Sequence, residues 1–379
     1  MCALRFFHLS DLHLGKLVHE FSMLEEQAFI LQQVLALAGQ ERPDAVLVAG
    51  DVYDRGVAPA DALKLLDDFL VGLSGLGIQV FLIAGNHDSA ERLAFASRLM
   101  AGAGVHIAPA YEGVLTRHTL RDEHGDVDIW MLPFLRPNMV RRHFPDREIT
   151  TWTEAVTAAL GQAQTDPERR NVLLAHQFVT GGLTSESEEF AVGGADNVDI
   201  AAFNGFDYVA LGHLHRAQHL GRESLRYCGS PLKYSFSEAA HTKSLTVVEL
   251  GQKGEVGIRA LPLYPRRDLV ELKGSYEQMM SKSFYDQLNL DNYYRITLTD
   301  STDQPDALQK LRLVYKNLMR LDYERHLAQA REALAPAQAE MTPMMLFSAL
   351  YLEQNGRELG PEQRDYLARR IEQVWEEEA

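Results

Sequence analysis

Short apolar runs that end on a carboxylate, a carboxamide or an imidazole recur through the first 215 residues, and this recurrence constrains the fold more than any other feature. Candidate strands cover residues 5–9, 45–49, 80–84, 171–175 and 208–211. Between the first two, residues 24–38 carry Phe29, Ile30, Val34 and Leu37 at helical spacing, and 60–73 repeat the pattern before the third. Strand–helix–strand alternation implies parallel strands covered on both faces. Later strand-like segments at 127–132, 225–227, 244–250 and 255–261 have no helices between them. They imply a second, mixed sheet packed on the first.

A chain of 379 residues is too long for one ordinary core. Its character changes near 262–267, after which strand, helix, strand (292–298) and helix (306–318) read as a small α+β unit. Residues 324–339 are polar and Ala-rich, as in a helical linker. Thr342-Pro343 is an N-cap and first turn, Asn355-Gly356 a stop, and Gly360-Pro361 a restart, so the last segment reads as a helical hairpin. Its stripes are Leu346, Phe347, Leu350 and Tyr351 on one helix, and Leu367, Ile371, Val374 and Trp375 on the other. A hairpin this short buries too little surface alone, so it is expected to dock on something.

No apolar run is long enough to span a bilayer, and the start enters a strand-like segment with no secretory pattern before it. Cys2 and Cys228 form neither a metal spacing nor a disulfide framework. A cytoplasmic protein with no membrane contact is expected. The net charge of −16 argues mildly against a polyanionic ligand held by this chain alone.

Five segments carry the chemistry: Asp11-Leu12-His13, Gly50-Asp51-Val52-Tyr53-Asp54, Gly85-Asn86-His87-Asp88, His176, and Gly212-His213-Leu214-His215. Taken singly, each has an ordinary explanation as a cap, a turn or an interior histidine. Together, at the carboxyl ends of strands, they converge on one crevice. The donors are oxygen and imidazole without thiolate, a set suited to ions such as Mn²⁺ or Fe²⁺.

These segments resemble the calcineurin-like metallophosphoesterases, whose motifs are D-x-H, G-D-x-x-D, G-N-H-[DE], a lone H and G-H-x-H. The resemblance implies one ion on Asp11, His13, Asp51 and His215, and a second on Asp51, Asn86, His176 and His213, with Asp51 bridging. His87 is left for catalysis, and Asp54 is expected to hydrogen-bond it and keep its proton beside two cations. Asp54-Arg55-Gly56 also looks like the Ser/Thr phosphatase block, in which the arginine binds phosphate.

The wider match is to the SbcD family, the bacterial relatives of the nuclease subunit of double-strand-break repair complexes. It rests on Ser10–Lys16, Gly85-Asn86-His87-Asp88-Ser89, the block 208–215, and Tyr227-Cys228-Gly229-Ser230-Pro231 followed by Ser235-Phe236-Ser237-Glu238. The resemblance implies a four-layer αββα sandwich over 1–265, a DNA-capping α+β domain over 266–326, a linker over 327–340 and a hairpin over 341–379. The hairpin would dock on the coiled-coil base of the ATPase SbcC, through Leu346, Phe347, Leu350, Tyr351, Leu367, Ile371 and Trp375. Two divalent ions are expected, Mn²⁺ first, with Fe²⁺ or Mg²⁺ as alternatives. The implied activities are 3′–5′ exonuclease action on duplex DNA and endonuclease action on single strands or hairpins, in a heterotetramer of two SbcC and two SbcD chains at the nucleoid. Arg55, Arg92, Gly229 and Ser230 are expected to contact substrate, and Arg136, Arg141, Arg142 and Arg147 form a local basic set. Segments 60–73 and 91–100 carry surplus apolar residues, and family members form homodimers through helices in this region.

Overall fold

The computed structural model describes residues 3–188 and 196–326, and beyond them 344, 347, 348, 351, 359, 360, 363, 364, 366, 367 and 370. The expected linker 327–340 and hairpin residues Leu346, Leu350, Ile371 and Trp375 lie outside the described residues; the described Phe347, Tyr351 and Leu367 are helical.

Two six-stranded sheets form the larger unit, Met1–Glu271 with Asn289–Arg295. The first has the order Val256–Pro262, Ser244–Leu250, Leu4–Leu9, Ala45–Ala49, Gln79–Ile83, Val105–Ile107. Its four strands from Leu4–Leu9 onward run parallel, and the other two are antiparallel. The second has the order Gln218–Leu220, Arg222–Tyr227, Tyr208–Gly212, Arg170–His176, Gly125–Leu132, Thr116–Asp122. Its four central strands are parallel, with an antiparallel hairpin at each edge.

Period-2 alternation sends Phe6, Leu47 and Phe81 into the space between the sheets, where they meet Ile129, Val172 and Ala210. The alternate residues Phe7, Val46 and Leu82 are equally buried, because helices Leu24–Glu41 and Ala60–Gly75 bring Val34, Phe69 and Leu73 to the outer face. Each such side chain contributes about 1.5–3 kcal/mol through burial. Helix Trp152–Leu160 covers the far side of the second sheet, started by a capping box between Thr151 and Glu154. The chain therefore forms the expected four-layer sandwich.

Two expected helices are modified. The 91–100 segment is broken into Ala90–Leu93 and Ser97–Met100, because Ala96 takes a left-handed conformation at φ 60°. In the smaller unit, Leu272–Leu288 with Ile296–Ala379, the helix expected over 306–318 ends early at Ala307–Arg312. A turn from Tyr315 to Leu318 then starts an unanticipated strand, Leu318–Tyr323, at the edge of a sheet ordered Leu269–Gly274, Tyr293–Leu298, Leu318–Tyr323. No helix among the described residues is long and apolar enough to cross a membrane.

Candidate metal centre

The parallel strands of both sheets deliver their carboxyl ends to one place. Asp11 follows Leu4–Leu9, Asp51 follows Ala45–Ala49, Asn86 follows Gln79–Ile83, His176 ends its own strand, and His213 follows Tyr208–Gly212. The turns that make these side chains converge are unusual. Asp11, His13, Asp51 and His213 all have positive φ (54°, 44°, 50° and 106°), conformations that cost non-glycine residues about 1–3 kcal/mol each. Main-chain hydrogen bonds hold the first two loops side by side: Asp11 N–H to Gly50 O at 3.0 Å, His13 N–H to Asp51 O at 2.9 Å, and Leu14 N–H to Val52 O at 2.9 Å. The Asp88 carboxylate ties in the third loop by accepting from the amides of Val52, Tyr53 and Gly85. Burial, then the nearby Asp51 charge, pushes Asp88 up to about 6.

Three side-chain clusters share this crevice; in one, ligand atoms of His13, Asp54 and His87 lie within 4.8 Å of one another, beside two made up of expected metal ligands. In the first of those two, ligand atoms of Asp11, His13 and His215 lie within 4.8 Å of one another, and the two Nε2 atoms are 3.1 Å apart. In the second, Asp11, Asp51 and His176 lie within 4.8 Å of one another, and Asn86 Oδ1 is 3.0 Å from both His176 Nε2 and His213 Nδ1. Asp51 Oδ2 sits between these two clusters, 3.6 Å from His13 Nε2 and 3.4 Å from His176 Nε2. All seven ligand residues expected from the sequence are brought together.

The donor chemistry fits cations. His176 Nδ1 donates to Ala49 O at 2.8 Å, so a neutral ring turns the Nε2 lone pair toward the Asn86 and Asp51 oxygens. A neutral ring would leave three acceptors facing one another, so the position calls for positive charge, either a proton on Nε2 or a cation in its place. Burial opposes charge on His176, but Asp51 overrides it and pushes the imidazole up to about 9. Burial likewise works against the Asp51 carboxylate, yet His176, then His13 and His87, hold it well below the usual range. His213 is pushed down to about 3, first by burial and then by His176. The buried Nδ1 of His13 makes no hydrogen bond. These residues would hold divalent ions.

Other expected contacts are arranged differently. His87 does bond to Asp54, but Nδ1 donates to the main-chain carbonyl at 3.1 Å. The Asp54 carboxylate instead takes Lys16 Nζ at 2.7 Å, a charge-assisted bond, and lies 3.6 Å from His13 Nδ1. The carbonyl is only an acceptor, so Nδ1 of His87 carries hydrogen and Nε2 points back toward Asp51 Oδ2, 3.9 Å away. Arg55 is 78% exposed and pairs with Asp54 at 3.7 Å, and Arg92 donates to Gly56 O. Arg141 and Arg142 pin loops through Ile149 O and Tyr111 O. Of the basic set between 136 and 147, Arg136 packs 6.0 Å from Phe134, whose ring lies edge-on to His176.

Gly229 and Ser230, expected to contact substrate, are buried, and the polar atoms of Ser230 are engaged within the chain. The Ser230 amide donates to His215 O at 3.2 Å and its hydroxyl to Leu232 O at 2.6 Å. A Cβ on Gly229 would lie 2.7 Å from His215 O, so the turn is a clamp on the His-x-His loop. Several residues around this clamp gave no sequence signal. Gln27 donates to the carbonyls of Leu12 and His13, and Ser187, Glu188, Glu238 and Lys243 surround His215. Only Ser235-Phe236-Ser237-Glu238 stood out as a motif, without a role.

Comparison with known proteins agrees with this geometry. Residues 4–217 match the calcineurin-like phosphoesterase model, and 265–355 match the model described as the type 5 capsule protein repressor C-terminal domain. The chain is 32% identical over 322 residues to the SbcD component of the SbcCD nuclease of Staphylococcus epidermidis, covering 84% of this chain and 85% of that one. It is 31% identical to the SbcCD component of the same name from Staphylococcus saprophyticus, covering 84% of each. A solved dimetal phosphatase from Danio rerio aligns with a TM-score of 0.42 at 12% identity, over 70% of this chain and 100% of that one, too distant to bear on function. The matched domains and the extent of identity place the chain in the calcineurin-like phosphoesterase family, among the SbcD proteins.

Proposed function

We propose that this chain is the nuclease subunit of an SbcCD complex and hydrolyses DNA phosphodiesters with two divalent ions, Mn²⁺ first among them. The observation that carries this reading is the convergence of Asp11, His13, Asp51, Asn86, His176, His213 and His215 on one crevice at the strand ends. The relatives' name supplies the substrate class.

In this reading Asp11, His13, Asp51 and His215 hold one ion, and Asp51, Asn86, His176 and His213 the other. Bound ions would supply Lewis-acid polarisation of the phosphodiester and a water activated at neutral pH. The chain's own residues do the rest. Ala49 O fixes His176 with Nε2 toward the centre, and Asp54 O fixes His87 with Nε2 toward Asp51. A protonated His87 then gives its Nε2 proton to the leaving oxygen, a role worth about 10²–10⁴ in rate. Arg136 on Phe134 is placed to meet a backbone phosphate.

Residues 1–265 form the nuclease domain, 266–326 the cap on the DNA, 327–340 a linker, and 341–379 the hairpin that docks on SbcC, in a cytoplasmic, nucleoid-associated assembly of two copies of each protein. That partner also offsets the −16 charge by supplying DNA-binding surface. The test is cleavage of hairpin and duplex DNA with Mn²⁺, with and without SbcC, beside a phosphopeptide and a His87→Ala variant. DNA cleavage lost in His87→Ala is expected. Phosphopeptide turnover without DNA cleavage refutes the nuclease reading, and Mn²⁺-dependent activity on neither refutes both.

A further inference from the structure

His215 is held at every polar atom except Nε2, the atom that faces His13. Its amide donates to Glu188 Oε1 at 2.7 Å, and its carbonyl accepts from the Ser230 amide at 3.2 Å and from Lys243 Nζ at 2.8 Å. Its Nδ1 lies 2.7 Å from Ser187 Oγ, which is 2.6 Å from Glu238 Oε1. A serine has one proton and a carboxylate only accepts, so the hydroxyl donates to Glu238 and accepts from Nδ1–H. The chain of bonds therefore assigns the tautomer: hydrogen on Nδ1, lone pair on Nε2. Glu238 is itself fixed as an anion by the buried Lys243, whose Nζ reaches Oε2 at 2.5 Å, His215 O and Ser230 Oγ at 2.8 Å each. Those three bonds use all three ammonium protons, so this buried pair is fully satisfied.

We infer that Ser187, Glu238 and Lys243 form a positioning relay that presents His215 Nε2 to a divalent cation. The inference rests on the metal-centre reading above. A ligand imidazole aligned by an outer carboxylate gains basicity and loses rotational freedom, and removing such partners lowers metal affinity about 10- to 100-fold. The relay acts at one end of the centre only. His176 and His213 contact Asn86 instead, and His176 takes its orientation from Ala49 O.

The test is Mn²⁺ titration of the metal-stripped full chain without DNA, read by the electron paramagnetic resonance signal of free Mn²⁺. Wild type, Ser187→Ala, Ser187→Thr, Glu238→Gln and His215→Ala are compared. Ser187 is only half-buried, so Ser187→Ala carries the test if Glu238→Gln does not fold. The expected result is two ions in wild type, with one weakened about 10- to 100-fold in Ser187→Ala and the other unchanged. Ser187→Thr should restore it, because its hydroxyl can make both bonds. Wild-type affinity for both ions in Ser187→Ala overturns the relay. Failure of wild type to bind two ions, or a His215→Ala variant that binds both as tightly as wild type, overturns the metal-centre reading and the relay with it.

Discussion

Gly212 in the second sheet abuts Ala49 of the first beneath the metal centre, and Gly212→Ala tests whether that contact builds the site. A Cβ there would lie 1.9 Å from Ala49 O, 2.7 Å from His176 Nδ1 and 2.9 Å from Ser10 Cβ. A carbon approaches a carbonyl oxygen no closer than about 3.3 Å, so the strand ends must separate by about 1.4 Å. The neighbours are a carbonyl, a ligand ring and a buried side chain, none of which can swing aside. Overpacking of this kind costs about 3 kcal/mol. The separation also breaks the 2.8 Å bond from His176 Nδ1 to Ala49 O, adding about 1 kcal/mol. Urea denaturation of the metal-free variant should therefore show a loss of about 3–4 kcal/mol at unchanged m. Mn²⁺ binding at the His176 end should fall with it, since displacements beyond about 0.5 Å spoil such a site. A change below about 0.5 kcal/mol, with both ions bound at wild-type affinity, would refute the reasoning.

Away from the centre, Arg170 and Asp122 form a buried pair with contacts of 2.5 and 2.9 Å, and Arg170→Met should cost about 3–5 kcal/mol in urea denaturation at neutral pH. Arg170 holds Asp122 below the usual carboxylate range, so this stabilisation is complete above about pH 4 and is lost as pH falls through the lower folded value. The gap between wild type and variant should close in acid, and a gap independent of pH would contradict the assignment. Stripping metal should lower the melting temperature, and Mn²⁺ at a hundredfold excess over Kd should return about 2.7 kcal/mol per site; no rise would argue against built sites. His87→Ala should keep both ions at wild-type affinity while DNA cleavage falls about 10²–10⁴-fold, and a parallel loss of metal would make His87 a ligand instead.

The centre was legible because its residues sit at the ends of long apolar strands, where local pattern and chemistry coincide. The neighbours of Asp51 and His213 place them at strand ends, but only the five segments together point to a metal centre. Thr116–Asp122 was missed because it is an edge strand of polar and charged residues, and Leu318–Tyr323 because helical composition ran on through Leu313 and Val314 into a turn. Asp54 was expected to bond His87 through its carboxylate, whereas its carbonyl accepts the bond from His87 Nδ1. A motif fixes which residues meet but not which atoms do, and the Asp54 carboxylate meets Lys16 instead. Glu238 and Lys243 act on His215 from distant segments, and such contacts leave no periodicity to read.

Anomalous diffraction at the manganese edge from crystals grown with Mn²⁺ tests the central claim most directly. Two peaks about 3.5–4 Å apart are expected. One should lie among Asp11, His13, Asp51 and His215, the other among Asp51, Asn86, His176 and His213. A single peak, or a pair lying outside these side chains, would contradict the account.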